Sequence, residues 1–247
     1  MPAEPIGCPP WRIIHHQTLD STNLEALRLA QQGAEAGTVV AADTQTAGRG
    51  RLGRKWADAP GSCLLMTVLV HPPAHCAGLL GAAMALAAAE ATSALTGASP
   101  AIKWPNDLLL GGRKIAGILA EGPRNGLIAV GIGVNVNGDP DDLPYGLRET
   151  ATFISHEAGH HIDLHAFRRS LLDRLGAYLQ ALDEGQSAGV VEGVRRFDCL
   201  AGRAIHAQAG STLVEGIALG WLDDGRLAVR DAAGNETALD GGEVTLI

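Results

Sequence analysis

The four cysteines, Cys8, Cys63, Cys76 and Cys199, are scattered along the chain and none forms a C-x-x-C pair. That spacing implies neither a metal knuckle nor a disulfide framework, and it fits reduced thiols in a cytoplasmic protein. A signal peptide is also missing, because MPAEPIGCPPW is crowded with proline before any apolar run begins. The longest apolar stretch, Cys76 to Ala89, is rich in alanine and glycine, so it reads as a buried helix too short to span a bilayer. Positive charge is scarce: 19 Lys and Arg face 27 Asp and Glu, for a formal net charge of −8. The molecule as a whole should therefore not adhere to nucleic acid or to an anionic membrane, and any basic function must be local. Tandem repeats and long low-complexity tracts are absent.

What remains is a chain of 247 residues, 46% hydrophobic, long enough for one large core or for one large and one small domain. Trp11 to His16 and Thr38 to Ala42 read as strands. Between them, Thr22 and Glu25 have capping-box spacing, and Gly33 supplies a helix stop. SCLLMTVLV (Ser62 to Val70) reads as a strand, and Ala74 to Thr96 as a long helix of small residues. Ile102 begins another strand. LLLGGRKIAGILAE has the pattern of a hairpin turning at Gly111-Gly112, and Asn125-Gly126 turns the chain into LIAVGIGVNV. Asn137 to Thr150 is a polar loop. Asp163 caps a helix with apolar residues every three or four positions, and a further helix covers Ala188 to Phe197. From about Ala201 the texture changes to short strands with turns at Ala209-Gly210, Asp224-Gly225 and Ala233-Gly234, the pattern of a small five-stranded barrel.

Three motifs compete for the chemistry. Gly48, Gly50 and Gly53 match G-x-G-x-x-G after a predicted strand, but RKWADAPGS follows where a dinucleotide fold needs a helix, and no acidic residue is placed to hold a ribose. HEAGH matches the zinc-hydrolase pattern through His156 and His160, yet Gly159 breaks the helix that must carry both histidines on one face. The third is TAGRGRLGRKW itself. It puts Arg49, Arg51, Arg54 and Lys55 into seven residues of an acidic chain, among glycines that let backbone N–H groups approach an anion. Such a loop is either a solvated charge run or a holder of phosphate or carboxylate, and its self-repulsion favours forming around a ligand charge.

A wider pattern carries a resemblance. LDSTN (Leu19 to Asn23), TAGRGRLGRKW after Gln45, KWPNDLLL (Lys103 to Leu110), GRKIAGIL (Gly112 to Leu119), GIGVNVN (Gly131 to Asn137) and a terminal GGEVTL occur in this order. In these the chain resembles the bacterial biotin protein ligases from Trp11 onward. The resemblance implies an α+β fold: a mixed β-sheet catalytic domain of the biotin/lipoate ligase type packed with helices over 11–198, and a small C-terminal SH3-like β-barrel over 199–247. It implies an acetyl-CoA carboxylase-directed ligase that uses ATP with Mg²⁺. The biotin carboxylate attacks the α-phosphate to give biotinyl-5′-AMP, and a lysine of a biotin carboxyl carrier domain then displaces AMP. Two anions must meet in the first step, which gives the basic loop a purpose.

The resemblance also assigns roles. Ser21, Thr22, Asn23, Gln45 and the backbone at Gly48 and Arg49 are expected at biotin, with Gly117 and Gly133 letting a flat ligand approach the sheet. Arg51 and Arg54 are expected at the phosphates, with Lys103, Trp104, Asn106, Asp107 and Asn135 around the adenylate, Trp104 there as packing more than as a stack on the base. Lys114 is the expected catalytic cation beside Arg51, and Asp107 the candidate Mg²⁺ ligand. Only about ten residues precede the first strand, too few for the helix-turn-helix that some members carry, so a ligase without operator binding is expected, as monomer or homodimer. Some members also carry a basic residue after the terminal GGE-V/I-T/S-L segment, where this chain stops at Ile247. The alternatives are a lipoate–protein ligase, a non-catalytic biotin binder and a zinc hydrolase using His156 and His160.

Overall fold

A computed structural model describes residues 11–57, 61–71, 76–210 and 212–247; Cys8 and the proline-rich lead lie outside them. The chain begins β1 (Arg12–Leu19), α1 (Thr22–Gln31), β2 (Thr38–Gln45) and β3 (Cys63–Val70). It continues through α2 (Leu80–Thr96), β4 (Ala101–Lys103), β5 (Asp107–Leu110), β6 (Arg113–Arg124) and β7 (Leu127–Asn135). Three helices follow, α3 (Ile154–Ala158), α4 (Leu164–Asp183) and α5 (Ala188–Phe197), then β8 (Ala204–Ala209), β9 (Thr212–Trp221), β10 (Leu227–Arg230), β11 (Glu236–Leu239) and β12 (Glu243–Leu246).

The first seven strands make one mixed sheet in the order β1-β2-β3-β7-β6-β5-β4. Only β1 and β2 run parallel, with α1 as their crossover; the remaining pairs are antiparallel. All eight residues of β3 are buried, as a central strand covered on both faces requires. Alanines 82, 83, 85, 87, 88, 89 and 91 of α2 are buried, and their short side chains let the helix lie close to the sheet while α4 and α5 pack behind it. Asn125 and Gly126 turn between β6 and β7 at φ 48° and 77°, the left-handed pair that a two-residue hairpin needs. Asp163 Oδ1 accepts from the amides of His165 and Ala166 and so starts α4.

Two local expectations need correction. Ser21, not Thr22, is the N-cap of α1, and the Thr22 hydroxyl turns inward to meet Gln45 and Thr67. The helix expected from Ala74 enters as a 3₁₀ turn at Ala77–Leu79 and becomes α-helical at Leu80; Ala74 itself lies outside the described residues. The continuous run Ala77–Thr96 is 20 residues and long and apolar enough to cross a membrane, so the expectation that it is too short fails. What decides its character is packing: most of it is buried inside the protein, between the sheet and α4 and α5.

The last five strands form an antiparallel sheet in the order β11-β10-β9-β8-β12, as expected for an SH3-like barrel. Gly210, Gly225 and Gly234 take left-handed φ of 59°, 90° and 89° at its turns. This sheet is not an isolated appendage. Ile205, Trp221, Val229 and Val244 join the same apolar core as α2, and Trp104 Nε1 donates to the Gly225 carbonyl at 3.0 Å.

Candidate active site

A pocket of about 300 Å³, open mouth included, lies between the start of α1, the end of β2 and the faces of β6 and β7. Its polar end is built by three buried residues in series, Ser21, Thr22 and Asn23. Gln45 Oε1 accepts from the Thr22 amide at 2.8 Å and from its hydroxyl at 3.2 Å. The Thr67 hydroxyl donates to Asn23 Oδ1 at 2.6 Å and lies 2.9 Å from the Thr22 hydroxyl. Asn23 Nδ2 donates to the Leu119 carbonyl at 3.1 Å and to Glu121 at 2.9 Å. With so many groups fixed, this end of the pocket is preorganised for a polar ligand.

The basic loop is a folded hairpin. Trp56 N–H donates to Gly48 O and Gly50 N–H to Arg54 O, at 3.0 and 2.8 Å, and Arg49 bridges Lys55. At the tip, Arg51–Gly53 form a 3₁₀ turn with Leu52 and Gly53 at φ 56° and 74°. Among the described residues no helix N-terminus follows, which leaves the glycine triplet without the dinucleotide geometry. Two of the loop's four cations meet carboxylates of the protein, Arg49 with Glu121 at 2.8 Å and Arg54 with Glu243, while Arg51 Nη1 donates to the neutral Asn106 Oδ1 at 3.1 Å. Arg54 draws the Glu243 carboxyl below its ordinary range. Burial lowers the Arg51 guanidinium and Asp107 pulls it the other way, yet an arginine remains a cation near neutral pH.

Trp56 closes the hairpin over the sheet. A Cβ placed on Gly133 would come 2.6 Å from the indole Cε2, and one on Gly117 would lie 3.2 Å from Cζ3. The flat group resting on those two glycines is therefore this indole, which also packs against Cys63, Leu65, Leu143, Ala151 and Phe153. Lys114 Nζ lies 6.0 Å above the ring and 2.7 Å from Asp107 Oδ1. Its backbone is held from outside, donating to Thr150 O and accepting from Thr152 N. Lys114, Arg51, Asn106 and Asp107 thus converge on the same end of the hairpin, at the rim of the pocket that Gly117 lines.

The remaining expected residues fall in two groups. Asn135 ends β7 fully buried; its Nδ2 donates to Thr152 O at 3.1 Å and so fixes the segment that flanks Lys114. Lys103 ends β4 opposite Asp107 and its charge reaches Glu243. Trp104 does not face the pocket: 2% exposed and bonded to Gly225, it ties the two sheets together, which corrects its expected place at the adenylate. His156 sits on the five-residue α3 and His160 beyond the left-handed Gly159, so the helix ends between them. Among the described residues no group of three or more His, Cys, Asp or Glu could hold a metal ion. The sequence reading missed Trp56, Thr67 and Glu121.

Residues 15–139 match the model of the biotin/lipoate A/B protein ligase family. A biotin–[acetyl-CoA-carboxylase] ligase of Paracoccus denitrificans is 37% identical over 226 residues, 88% of this chain and 93% of that protein. The chain belongs to this ligase family. A bifunctional ligase/repressor of Bacillus subtilis (strain 168) is 40% identical over 157 residues, 61% of this chain, and that match spans 48% of the relative's length. A biotin protein ligase of Aquifex aeolicus, solved in complex with biotin and ATP, superposes with a TM-score of 0.84 at 26% identity, covering 96% of this chain and 98% of that one.

Proposed function

We propose that the protein is a biotin–protein ligase: it adenylates biotin with ATP and passes the acyl group to a lysine of a biotin carboxyl carrier domain. The observation that carries this reading is that Lys114 and Arg51 are both held at Asn106–Asp107, beside Gly117 of a pocket whose far end is the Ser21–Thr22–Gln45 cluster. Residues 11–198 form the catalytic unit in this reading and 199–247 the small domain, which sends Glu243 to the basic loop.

Ser21, Thr22 and Gln45, with backbone at Gly48 and Arg49, take the ureido end of biotin, and the valeryl chain runs toward Lys114. The carboxylate oxygen attacks the α-phosphorus and the bond to the β-phosphate oxygen breaks, giving biotinyl-5′-AMP and pyrophosphate. Lys114 lies between the two anions, and Arg51, Arg54 and Lys103 take phosphate oxygens. These cations act where charge is already present and grows during displacement. Trp56 and the closed hairpin keep water from the mixed anhydride. The carrier amine then attacks the acyl carbon, AMP leaves with the bonding pair, and the amine proton passes to solvent. Asp107 supplies one carboxylate beside the phosphates, which suits a Mg²⁺ that arrives largely ligated by nucleotide and water and that screens phosphate charge when bound.

Labelling of a carrier domain with biotin and ATP, wild type against Lys114→Ala, tests the reading. The variant should lose about 10²- to 10³-fold in turnover, the scale of one preorganised contact to developing charge. Unchanged turnover would remove Lys114 from the mechanism. A wild type active on lipoate and inert to biotin would favour the lipoate-ligase alternative.

A further inference from the structure

Glu121 lies near the outer end of β6, and its two carboxylate oxygens serve different elements. Oε1 meets Arg49 Nη2 at 2.8 Å, and Oε2 accepts from Asn23 Nδ2 at 2.9 Å. Asn23 continues to Thr67, and Thr67 to Thr22, whose amide and hydroxyl end on Gln45. An unbroken line of polar contacts therefore joins the root of the basic loop to the polar end of the pocket. We propose that Glu121 is a positioning residue: it seats Gly48 and Arg49 against the biotin end of the pocket before nucleotide binds. The proposal rests on the reading of this site as a biotin and ATP site.

Three observations support it. A glycine-rich hairpin loses much conformational freedom when it closes, so it needs ties to the body of the protein. Arg51 and Arg54 are tied to Asn106 and Glu243, but both are cations that arriving phosphate would draw away. Arg49 points to the opposite end, and its tie to Glu121 need not break during the reaction. Glu121 is itself held in place, because its partner Asn23 is 4% exposed and is also bonded to Thr67 and to the Leu119 carbonyl. The Arg49 side chain is 42% exposed, so the pair adds little to global stability, and its consequence is where the loop sits.

The test compares wild type, Glu121→Gln, Arg49→Ala and the double variant in three measurements: tryptic cleavage within residues 51–55 without ligand, biotin KM against kcat at saturating ATP, and Tm. Glutamine keeps an acceptor for Asn23 and removes the charge that holds Arg49. Glu121→Gln should be cleaved several-fold faster and show a biotin KM raised roughly 10-fold, the scale of one charge-assisted bond. Its kcat should stay within about twofold, its Tm should barely move, and the double variant should be no worse than Arg49→Ala. Wild-type cleavage and KM in Glu121→Gln, or additive losses in the double variant, would overturn the proposal. A wild type that shows no biotin-dependent exchange of pyrophosphate into ATP would instead overturn the ligase reading, and the cleavage rates alone would then decide the role of Glu121.

Discussion

Replacing Gly131 by alanine tests whether the Asn23 network is as fixed as its contacts imply. The added methyl would lie 1.9 Å from Asn23 Oδ1, 2.8 Å from its Cγ and 3.1 Å from Thr67 Oγ1. No side chain tolerates the first distance, so Asn23 must rotate away. Rotation breaks its contacts with Thr67 at 2.6 Å, the Leu119 carbonyl at 3.1 Å and Glu121 at 2.9 Å. A buried hydrogen bond contributes about 1 kcal/mol net, and leaving its partner unsatisfied costs more, so a loss of about 3 kcal/mol is expected. At this chain length that corresponds to a fall in Tm of roughly 6–12 °C. Thermal unfolding read by circular dichroism measures it directly. Gly133→Ala is the comparison: its methyl would lie 2.6 Å from Trp56 Cε2, but the half-buried indole carries none of the Asn23 hydrogen bonds. Gly133→Ala should therefore cost less than Gly131→Ala while weakening substrate binding. An Asn23→Ala/Gly131→Ala pair should be no less stable than Asn23→Ala alone, because the group that clashes is gone. If Gly131→Ala unfolds within about 0.5 kcal/mol of wild type, the packing that underlies the polar end of the pocket has been misjudged.

Two further predictions concern the frame around the site. Burial raises the Asp198 carboxyl above its ordinary value of 3.8, and its Oδ2 is buried without a hydrogen-bond partner among the described residues. A raised carboxyl stabilises the fold fully below that ordinary value, and the contribution is lost as pH rises through the folded-state value, so the Tm advantage of Asp198→Asn should grow as pH rises above about 4; parallel Tm curves would refute this. The Tyr178 hydroxyl donates to Glu90 at 2.7 Å, and burial with that carboxylate nearby holds the phenol protonated. Glu90 keeps Arg174 and Arg196, so Tyr178→Phe should lower unfolding free energy by only about 1 kcal/mol in urea titration, with no change in kcat.

The parts of the fold legible in the sequence are those fixed by neighbours in the chain. Asn125-Gly126, the Asp163 cap and the full span of α5 depend on residues within a few positions of each other. What could not be read depends on distance. Thr67 looks like any other position in SCLLMTVLV, and nothing near it announces that Asn23, 44 residues earlier, needs its hydroxyl. Glu121 reads as a solvated charge near a strand end, while its partner Asn23 lies 98 residues away. Trp104 shows the same limit: KWPND marks the site as a unit, but its Lys103 and Asp107 pair at the ends of β4 and β5 while the indole in the turn between them packs into the core.

The sequence posed a problem of charge, and the structure sets carboxylates of the protein beside the cations of the loop. Four cations in seven residues should repel, yet the hairpin is closed because an acidic protein supplies its own counter-charges, Glu121 for Arg49 and Glu243 for Arg54, with Asp107 holding Lys114 nearby. Anion binding at this rim is then an exchange of partners, in which a phosphate oxygen competes with a carboxylate already in place. Such an exchange gives up little, since Arg54 and Glu243 are 61% and 51% exposed and solvent screens them. It also selects for multivalent anions. A single carboxylate offers Lys114 no more than Asp107 does, whereas a triphosphate can engage Lys114, Arg51 and Arg54 together. Under the proposed ligase reading, the rim discriminates by charge number and the Ser21–Gln45 end by hydrogen bonding.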